Sequence, residues 1–365
     1  MFASQFASSL PAELATQYID AAIQVLDAPE AGVPVKVSAV RALNNFFRHL
    51  KLSVDPARAV HTLARLLPLV GQTNENTQVL VIDAVRSAVK VGAGALDAAS
   101  CKSLVETVLS VWLGKPEDPL LGSAICEVFD SLSSTASGVV EASIKDDAFP
   151  SLTAAMLQVR HDRYSTSAAS ATDILDALFA GRPAPLASGW FAAVAPTLFE
   201  VLSITDDRDV LQAGLNIITH TIRKDVGQLL EWRNAQGQGG LELVLAVVAR
   251  MLDPKGAEAG GLFVGDLVLH LIRKAGSSVG PVLPQLLEAF VKRLATAETA
   301  SFSQSLILPF AYLLQAGPDD VLALLEGIRV DGRAGEPARS GLEVLLTSWC
   351  DNVDFFQGYW NLKVR

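Results

Sequence analysis

The chain has 365 residues, half of them hydrophobic and 19% charged, so it can bury a large apolar core and does not have a disordered composition. Its 39 acidic residues outnumber its 29 basic ones, giving a formal net charge of −10. This balance argues against a nucleic-acid-binding protein, which needs a basic face, and favours basic partners. The three cysteines, Cys101, Cys126 and Cys350, form no CxxC pair, which is typical of a reduced cytosolic or nuclear protein. The start, Met1 to Gln5, lacks the basic and apolar regions of a signal peptide.

Short segments of the chain resemble one another at intervals of about 40–50 residues, close to the HEAT and armadillo period. The clearest pair is Val37 to Leu43 and Ile82 to Ala88. Weaker copies follow around Ala124, Ala171, Ala213, Val264, Gln304 and Val344. The period therefore predicts a repeat architecture.

Each copy lies on an apolar stripe with helical spacing, as in Leu121, Ile125, Val128 and Leu132. Further apolar helices are predicted over residues 10–27, 56–71, 97–113, 187–203, 239–253 and 280–297. The uncharged window Thr299 to Pro318 contains Pro309 and has an apolar core too short to span a bilayer, so it is predicted to be a buried helix, kinked at Pro309.

Pairing these helices predicts an all-α fold, a HEAT-repeat α-solenoid of about eight antiparallel helix pairs of roughly 45 residues. Proline and glycine clusters fall where the helix pairs should turn. Runs that alternate in the manner of β-strands are missing, so a sheet has little support. We expect one continuous array over residues 1–365, with the weakest joints at 136–150 and 236–240.

Sequence motifs for catalysis and for metal or cofactor binding give little support to an enzyme. Residues 276–280 match G-x-S-x-G, but a helix precedes them where a nucleophile elbow needs a strand, so a hydrolase using Ser278 is disfavoured and an interhelical loop is predicted. The histidines lack metal-ligand spacing, and Gly237 to Gly240 lacks the third glycine of a dinucleotide loop. We therefore predict no catalytic residue, no cofactor and no metal.

Acidic side chains lie off the apolar stripes of the repeated helices. They are Asp83, Glu127, Asp130, Asp173, Asp176 and Asp209. If these helices face one way, their carboxylates form an acidic face that attracts a basic partner electrostatically. The alternative is structural: Asp83, Arg86 and Arg41 could instead form a ladder of ion pairs between repeats.

The order and spacing of several motifs resemble the importin-nine branch of the karyopherin-β nuclear transport receptors. Upstream motifs are Ser38 to Ala42 and Ala171 to Leu175. The denser part comprises Asp206-Asp207, Asp209 to Gly214, Trp232, Gly237, Gly240-Leu241, Leu252 to Pro254, Phe263 to Gly265, Leu267-Val268, Lys274 to Gly276, Ala297 to Thr299, Gln304 to Ile307 and Phe310-Ala311. Downstream motifs are Leu342-Glu343, Trp349, Phe356 to Tyr359 and Lys363-Val364.

The resemblance implies a segment of a HEAT-repeat import receptor that carries basic nuclear proteins without a chemical step and shuttles between cytoplasm and nucleus. The implied cargoes are core histone dimers, the TATA-binding protein and ribosomal proteins. The GTPase Ran and nucleoporin phenylalanine-glycine repeats are further implied partners, with no direct nucleic acid and no membrane.

The chain also departs from the family pattern, since it corresponds to the middle-to-late repeats of a longer receptor. The amino-terminal repeats of the main Ran site and the long acidic insertion have no counterpart here. The alternative interpretation is a HEAT-repeat regulatory scaffold of another kind, such as a phosphatase-type subunit, because solenoids share their helix pattern and fold does not fix function.

Overall fold

The computed structural model describes residues 11–50, 54–331 and 337–356, and these residues are mostly helical. Backbone contacts divide the chain into two compact units, one of Met1–Gln158 with Ser165–Val194 and the other of Val159–Tyr164 with Ala195–Arg365. The predicted start at Met1 to Gln5 and the motifs Gln357 to Tyr359 and Lys363-Val364 lie outside the described residues.

The first unit is built from antiparallel helix pairs. Its helices are α1 (Ala12–Asp27), α2 (Val33–His49), α3 (Pro56–Val70), α4 (Glu75–Gly92), α5 (Ala98–Gly114), α6 (Pro119–Ser133), α7 (Gly138–Ser143), α8 (Phe149–Met156) and α9 (Thr166–Gly181), followed by α10 (Trp190–Ile204), which continues into the second unit. Helices α2, α4, α6 and α9 pack side by side as one layer, and α1, α3, α5 and α7 form a second layer against it. The apolar stripes meet between the layers: Leu43, Phe47, Ile125 and Leu132 have no exposed surface.

Side-chain caps start several of these helices where the sequence changes from polar to apolar. Asp55, Asp97 and Asp118 accept hydrogen bonds from the first backbone N–H groups of α3, α5 and α6. Such a cap satisfies donors that have no partner inside the helix. Pro56 and Pro119 follow two of the caps at the first helical position, where a proline removes no intrahelical bond.

The joint predicted over 136–150 is an irregular helix. A π-helical stretch, Ile144–Ala148, connects α7 and α8, and a 3₁₀ turn, Leu157–Arg160, follows α8. Phe149 packs against Phe179 and Trp190, with ring centroids 6.1 and 5.3 Å away. This buried aromatic cluster holds the irregular segment to α9 and to the start of α10.

The second unit continues with α11 (Arg208–Glu231), α12 (Gly240–Met251), α13 (Val264–Val279), α14 (Leu283–Leu294), α15 (Ala300–Ala316), α16 (Pro318–Gly327) and α17 (Gly341–Asn352). Helices α11, α13, α15 and α17 pack in sequence as one layer. Helix α15 runs through Pro309, so the predicted buried helix is confirmed. Among the described residues, no helix is both long and apolar enough to cross a bilayer.

Two local predictions were wrong. Residues 276–279 belong to α13, which continues past a kink at Ala275, and are not an interhelical loop. A short antiparallel pair, β1 (Arg329–Val330) and β2 (Arg339–Ser340), lies where no strand was expected. Each strand has only two residues, too few to show an alternating pattern. The all-α class with stacked helix pairs is confirmed within each unit, whereas the single array over 1–365 stays a prediction.

Candidate functional site

Asp83 lies at the centre of a polar ladder that joins three neighbouring helices. It accepts hydrogen bonds from Asn44 on α2 at 2.8 Å and from Arg86 on its own helix at 2.5 Å, and Arg48 lies 3.8 Å away. Arg86 also pairs with Glu127 on α6. The structural alternative is therefore realised for Asp83 and Glu127.

The ladder differs from the predicted one in one member. Asn44 and Arg48, not Arg41, supply the contacts from α2, because they lie one and two turns further along the helix, opposite Asp83. Asn44 is held in place by Ser87, whose hydroxyl donates to its side-chain oxygen at 2.6 Å. Two arginines and two carboxylates then cancel, so this part of the layer has little net charge.

The excess negative charge of the first unit's layer lies on α6 and α9. Helix α2 carries Lys36, Arg41 and Arg48 without a carboxylate, whereas α6 and α9 carry four carboxylates between them without a basic residue. Those carboxylates are Glu127, Asp130, Asp173 and Asp176. Because α6 and α9 are packed side by side, the sign of the charge reverses along the layer.

Cys126 lies close enough to Asp173 and Asp176 to be affected by their charges, and the sequence pattern did not indicate it as part of the site. Burial, together with the negative charges of Asp173 and Asp176, raises the pKa of the Cys126 thiol to about 12. Asp173 and Asp130 are exposed, and Asp176 is half-buried. We call Asp130, Asp173 and Asp176 the acidic cluster; its exposed members can meet a cationic side chain from outside.

Asp209 lies in the second unit, at the start of α11. Its backbone N–H donates to the capping residue Asp207, and its carboxylate accepts a hydrogen bond from Arg208 at 2.9 Å. A carboxylate in the first turn interacts favourably with the helix dipole. Asp209 therefore has a local structural role in the second unit.

A buried ionic network in the second unit was not indicated by the sequence. The Glu258 carboxylate accepts hydrogen bonds from the backbone N–H groups of Glu298 and Thr299, both at 2.8 Å, and from the Thr299 hydroxyl at 2.6 Å. Arg293, whose side chain is 4% exposed, lies 3.3 Å from it and stacks on Phe302. Burial raises the pKa of Glu258, but these hydrogen bonds and Arg293 outweigh it and hold the pKa below its usual value. This network fixes the start of α15.

A groove of about 720 Å³ lies between α3 and α5 in the first unit. Apolar side chains line most of it, among them Leu63, Leu67 and Val111, and Ser103 and Glu106 are polar members of the lining. An apolar groove of this size accommodates a hydrophobic or aromatic side chain.

The described residues contain no group of three or more histidine, cysteine or acidic side chains arranged to hold a metal ion. Ser278 is exposed on a helical turn of α13, without the strand-to-helix turn that a nucleophile elbow needs.

Comparison with known proteins identifies importins as similar chains. The sequence is 26% identical to Importin subunit beta-5 of Schizosaccharomyces pombe over 335 residues, which cover 90% of this chain and 32% of that protein. It is 25% identical to Importin-9 of Drosophila melanogaster over 361 residues, or 96% of this chain and 34% of that one. The predicted resemblance to the importin-nine branch is confirmed, and the chain spans about one third of the length of these relatives. No family model matches.

Two solved structures align over most of the chain at low similarity. One comes from work on the interaction between cadherin and beta-catenin, with 13% identity, a TM-score of 0.33 and coverage of 92% of this chain and 86% of that one. The other comes from work on tubulin recruitment by TOG-domain arrays, with 11% identity, a TM-score of 0.27 and coverage of 95% and 92%. The assignment to the all-α class rests on the helices themselves.

Proposed function

We propose that this chain is a cargo-binding segment of a nuclear import receptor that holds a basic nuclear protein, such as a core histone dimer, without a chemical step. The observation that carries the proposal is the similarity to two importins over at least nine-tenths of the chain. The receptor of which it forms a part would work with Ran and move between cytoplasm and nucleus.

The acidic cluster is the surface proposed for the cargo. Of the six carboxylates singled out in the sequence, Asp83 and Glu127 are paired with Arg86, and Asp209 is paired with Arg208. Asp130 and Asp173 are exposed on adjacent helices that carry no basic residue. Such a one-signed surface accelerates encounter with an oppositely charged partner and loses this advantage as salt rises.

The test compares two double variants that remove the same charge. Asp130→Asn with Asp173→Asn should weaken binding of a core histone dimer about tenfold, which corresponds to about 1.4 kcal/mol. Glu117→Gln with Asp146→Asn removes two exposed carboxylates elsewhere in the first unit and should change affinity by less than about twofold. Calorimetry at low and at high salt measures both.

Asp83→Asn separates the structural interpretation from the cargo interpretation. Because Asp83 is paired across helices, its loss should lower the melting temperature of the protein while leaving histone affinity nearly unchanged. Equal weakening by both double variants, or no binding at low salt, would contradict the proposal. Cross-linking of the chain mixed with the histone dimer would then locate any contacts elsewhere.

The groove between α3 and α5 is the proposed site for a nucleoporin phenylalanine-glycine repeat. Its apolar walls suit a phenylalanine side chain, and the backbone of a glycine-flanked phenylalanine can approach the helices closely. Ser103→Glu places a further charge in the lining of the groove and should abolish binding of a Phe-Gly repeat peptide. Ala142→Glu, at an exposed position of the same unit, serves as the control.

A phosphatase-type regulatory scaffold remains the alternative function. Co-purification from cell extract distinguishes the two: an import receptor segment should recover histones, and a scaffold should recover a phosphatase catalytic subunit. Exclusive recovery of the phosphatase subunit would reject the receptor assignment.

A further inference from the structure

Three neighbouring helices of the second unit expose a face that differs in charge from the acidic cluster. Polar and charged residues recur at helical spacing on α11 and α13, and polar or apolar ones on α15. In chain order they are Asn216, His220 and Arg223 on α11, Asp266, His270, Arg273 and Lys274 on α13, and Gln304, Leu308 and Tyr312 on α15. Since α11 packs on α13 and α13 on α15, residues at corresponding heights are neighbours.

The carboxyl-terminal half of this face is basic. Arg223, Arg273 and Lys274 are exposed, and within the described part of the chain no carboxylate lies within ion-pair distance of them. The guanidinium of Arg273 lies 5.6 Å from the centre of the Tyr312 ring. Helix α15 contributes no charged residue, so it supplies no carboxylate that would neutralise these cations. We call Arg223, Arg273, Lys274 and Tyr312 the basic face.

His270 reports the potential at this surface. Its imidazole lies 3.5 Å from the Asp266 carboxylate, a partner that favours the protonated form. Burial nevertheless lowers the pKa of His270, and Arg223, Arg273 and Lys274 lower it further, so that the net shift is downward despite Asp266. Burial is the largest cause of this shift, and the three cations lie close enough to the imidazole to add to it.

A groove of about 450 Å³ lies beside the basic face, toward the amino-terminal ends of the same helices. Asn216, Asp266, Ser301 and Gln304 line it, together with Phe263 and Leu308. The polar and apolar side chains together give the groove room for an extended segment of polypeptide. The groove and the basic face together offer space for a polypeptide segment next to three exposed cations.

We propose that the groove and the basic face bind an acidic polypeptide segment of a partner protein, with its carboxylates on Arg223, Arg273 and Lys274 and its main chain along the groove. A basic cargo would be repelled at this surface, so the site is separate from the acidic cluster. A peptide fits better than a nucleic acid, because the chain has a net charge of −10 and the face offers one ring, not a series of stacking aromatics.

The experiment uses the full chain and a short fluorescein-labelled peptide of alternating glutamate and glycine, with fluorescence anisotropy as the readout. Arg273→Glu and Lys274→Glu should each weaken binding about tenfold. Lys292→Glu reverses an exposed cation of the same unit, on α14 and paired with Glu288, and should have less than about a twofold effect. Raising salt from about 0.1 to 1 M shortens the Debye length from about 10 to 3 Å and should abolish binding.

Binding that is lost in both face variants and retained in Lys292→Glu supports the proposal, as does loss of binding when glutamine replaces glutamate in the peptide. Arg273→Gln keeps a polar side chain and should weaken binding less than Arg273→Glu, which excludes misfolding as the cause. Three results would overturn the proposal: no binding at low salt, equal effects of all three charge reversals, or tighter binding of a single-stranded oligonucleotide than of the peptide. Failure of histone binding would leave this proposal standing, since the two tests use different residues and ligands.

Discussion

The three cysteines have three different surroundings, and their thiols should differ in reactivity. Cys101 is fully buried, and burial raises its thiol pKa, whereas Cys126 has a pKa of about 12 for the reasons given above. Cys350 is exposed. The thiolate is the reactive species of a cysteine. A maleimide added to the native protein at neutral pH should therefore modify Cys350 first and Cys126 hardly at all. Peptide mass spectrometry after a short reaction measures this order, and comparable labelling of Cys126 and Cys350 would contradict the raised pKa of the Cys126 thiol.

Glu258→Gln should destabilise the protein by about 2–3 kcal/mol, because it leaves Arg293 buried without its partner and weakens three hydrogen bonds at the start of α15. The folded-state pKa of Glu258 lies below its usual value of 4.5. Its stabilising contribution is therefore complete above that value and is lost as the pH falls through the folded-state pKa. Urea unfolding at neutral pH and at successively lower pH values should show the difference between wild type and variant shrinking. A constant difference would mean that the carboxylate charge is not involved.

At the scale of the helix, close packing depends on a glycine at the crossing of α13 and α15. A Cβ atom added to Gly265 would lie 1.7 Å from the backbone oxygen of Ser305, whose hydroxyl also accepts a hydrogen bond from the Gly265 N–H at 3.0 Å. Gly265→Ala should therefore destabilise the protein by at least about 3 kcal/mol, since backbone cannot yield as a side chain can.

Gly276→Ala is the matched control on the same helix. A Cβ atom there meets nothing within 4 Å, so the alanine should be neutral or stabilising by up to about 1 kcal/mol through its helix propensity. Melting temperatures of the two variants compare the effects directly. Similar destabilisation by both would show that glycine flexibility, not the helix crossing, is what α13 requires.

Most helices could be predicted from the sequence pattern of their own segment. The exceptions depend on packing against other segments. The predicted helices over 56–71, 97–113 and 239–253 agree with α3, α5 and α12 to within two residues, because apolar spacing and capping residues act within one segment. Gly276 suggested a helix end, yet α13 continues because its next turn packs Val279 into the core. Tertiary burial there outweighs the local preference.

The candidate site was only partly visible in the sequence, for a related reason. Helical spacing places Asp173 and Asp176 off the apolar stripe of α9, and a single helix suffices to show it. Whether a carboxylate forms an ion pair with an arginine depends on how the neighbouring helix packs. Glu127 and Arg86 form such a pair between two helices, and their separation in the sequence does not predict it. The basic face was missed because its cations come from two helices about fifty residues apart.

For the whole molecule, stacked helix pairs imply that stability is largely a sum of each repeat and its contacts with adjacent repeats. Phe47→Ala removes a fully buried ring from α2 and should cost about 3–5 kcal/mol locally. Amide hydrogen exchange followed by mass spectrometry should then show faster exchange in α1 to α4, with α13 to α17 unchanged. Val35→Ala, an exposed position on the same helix, should leave every segment as in the wild type. Faster exchange throughout the chain in Phe47→Ala would instead indicate one cooperative core, and with it coupling between the acidic cluster and the basic face.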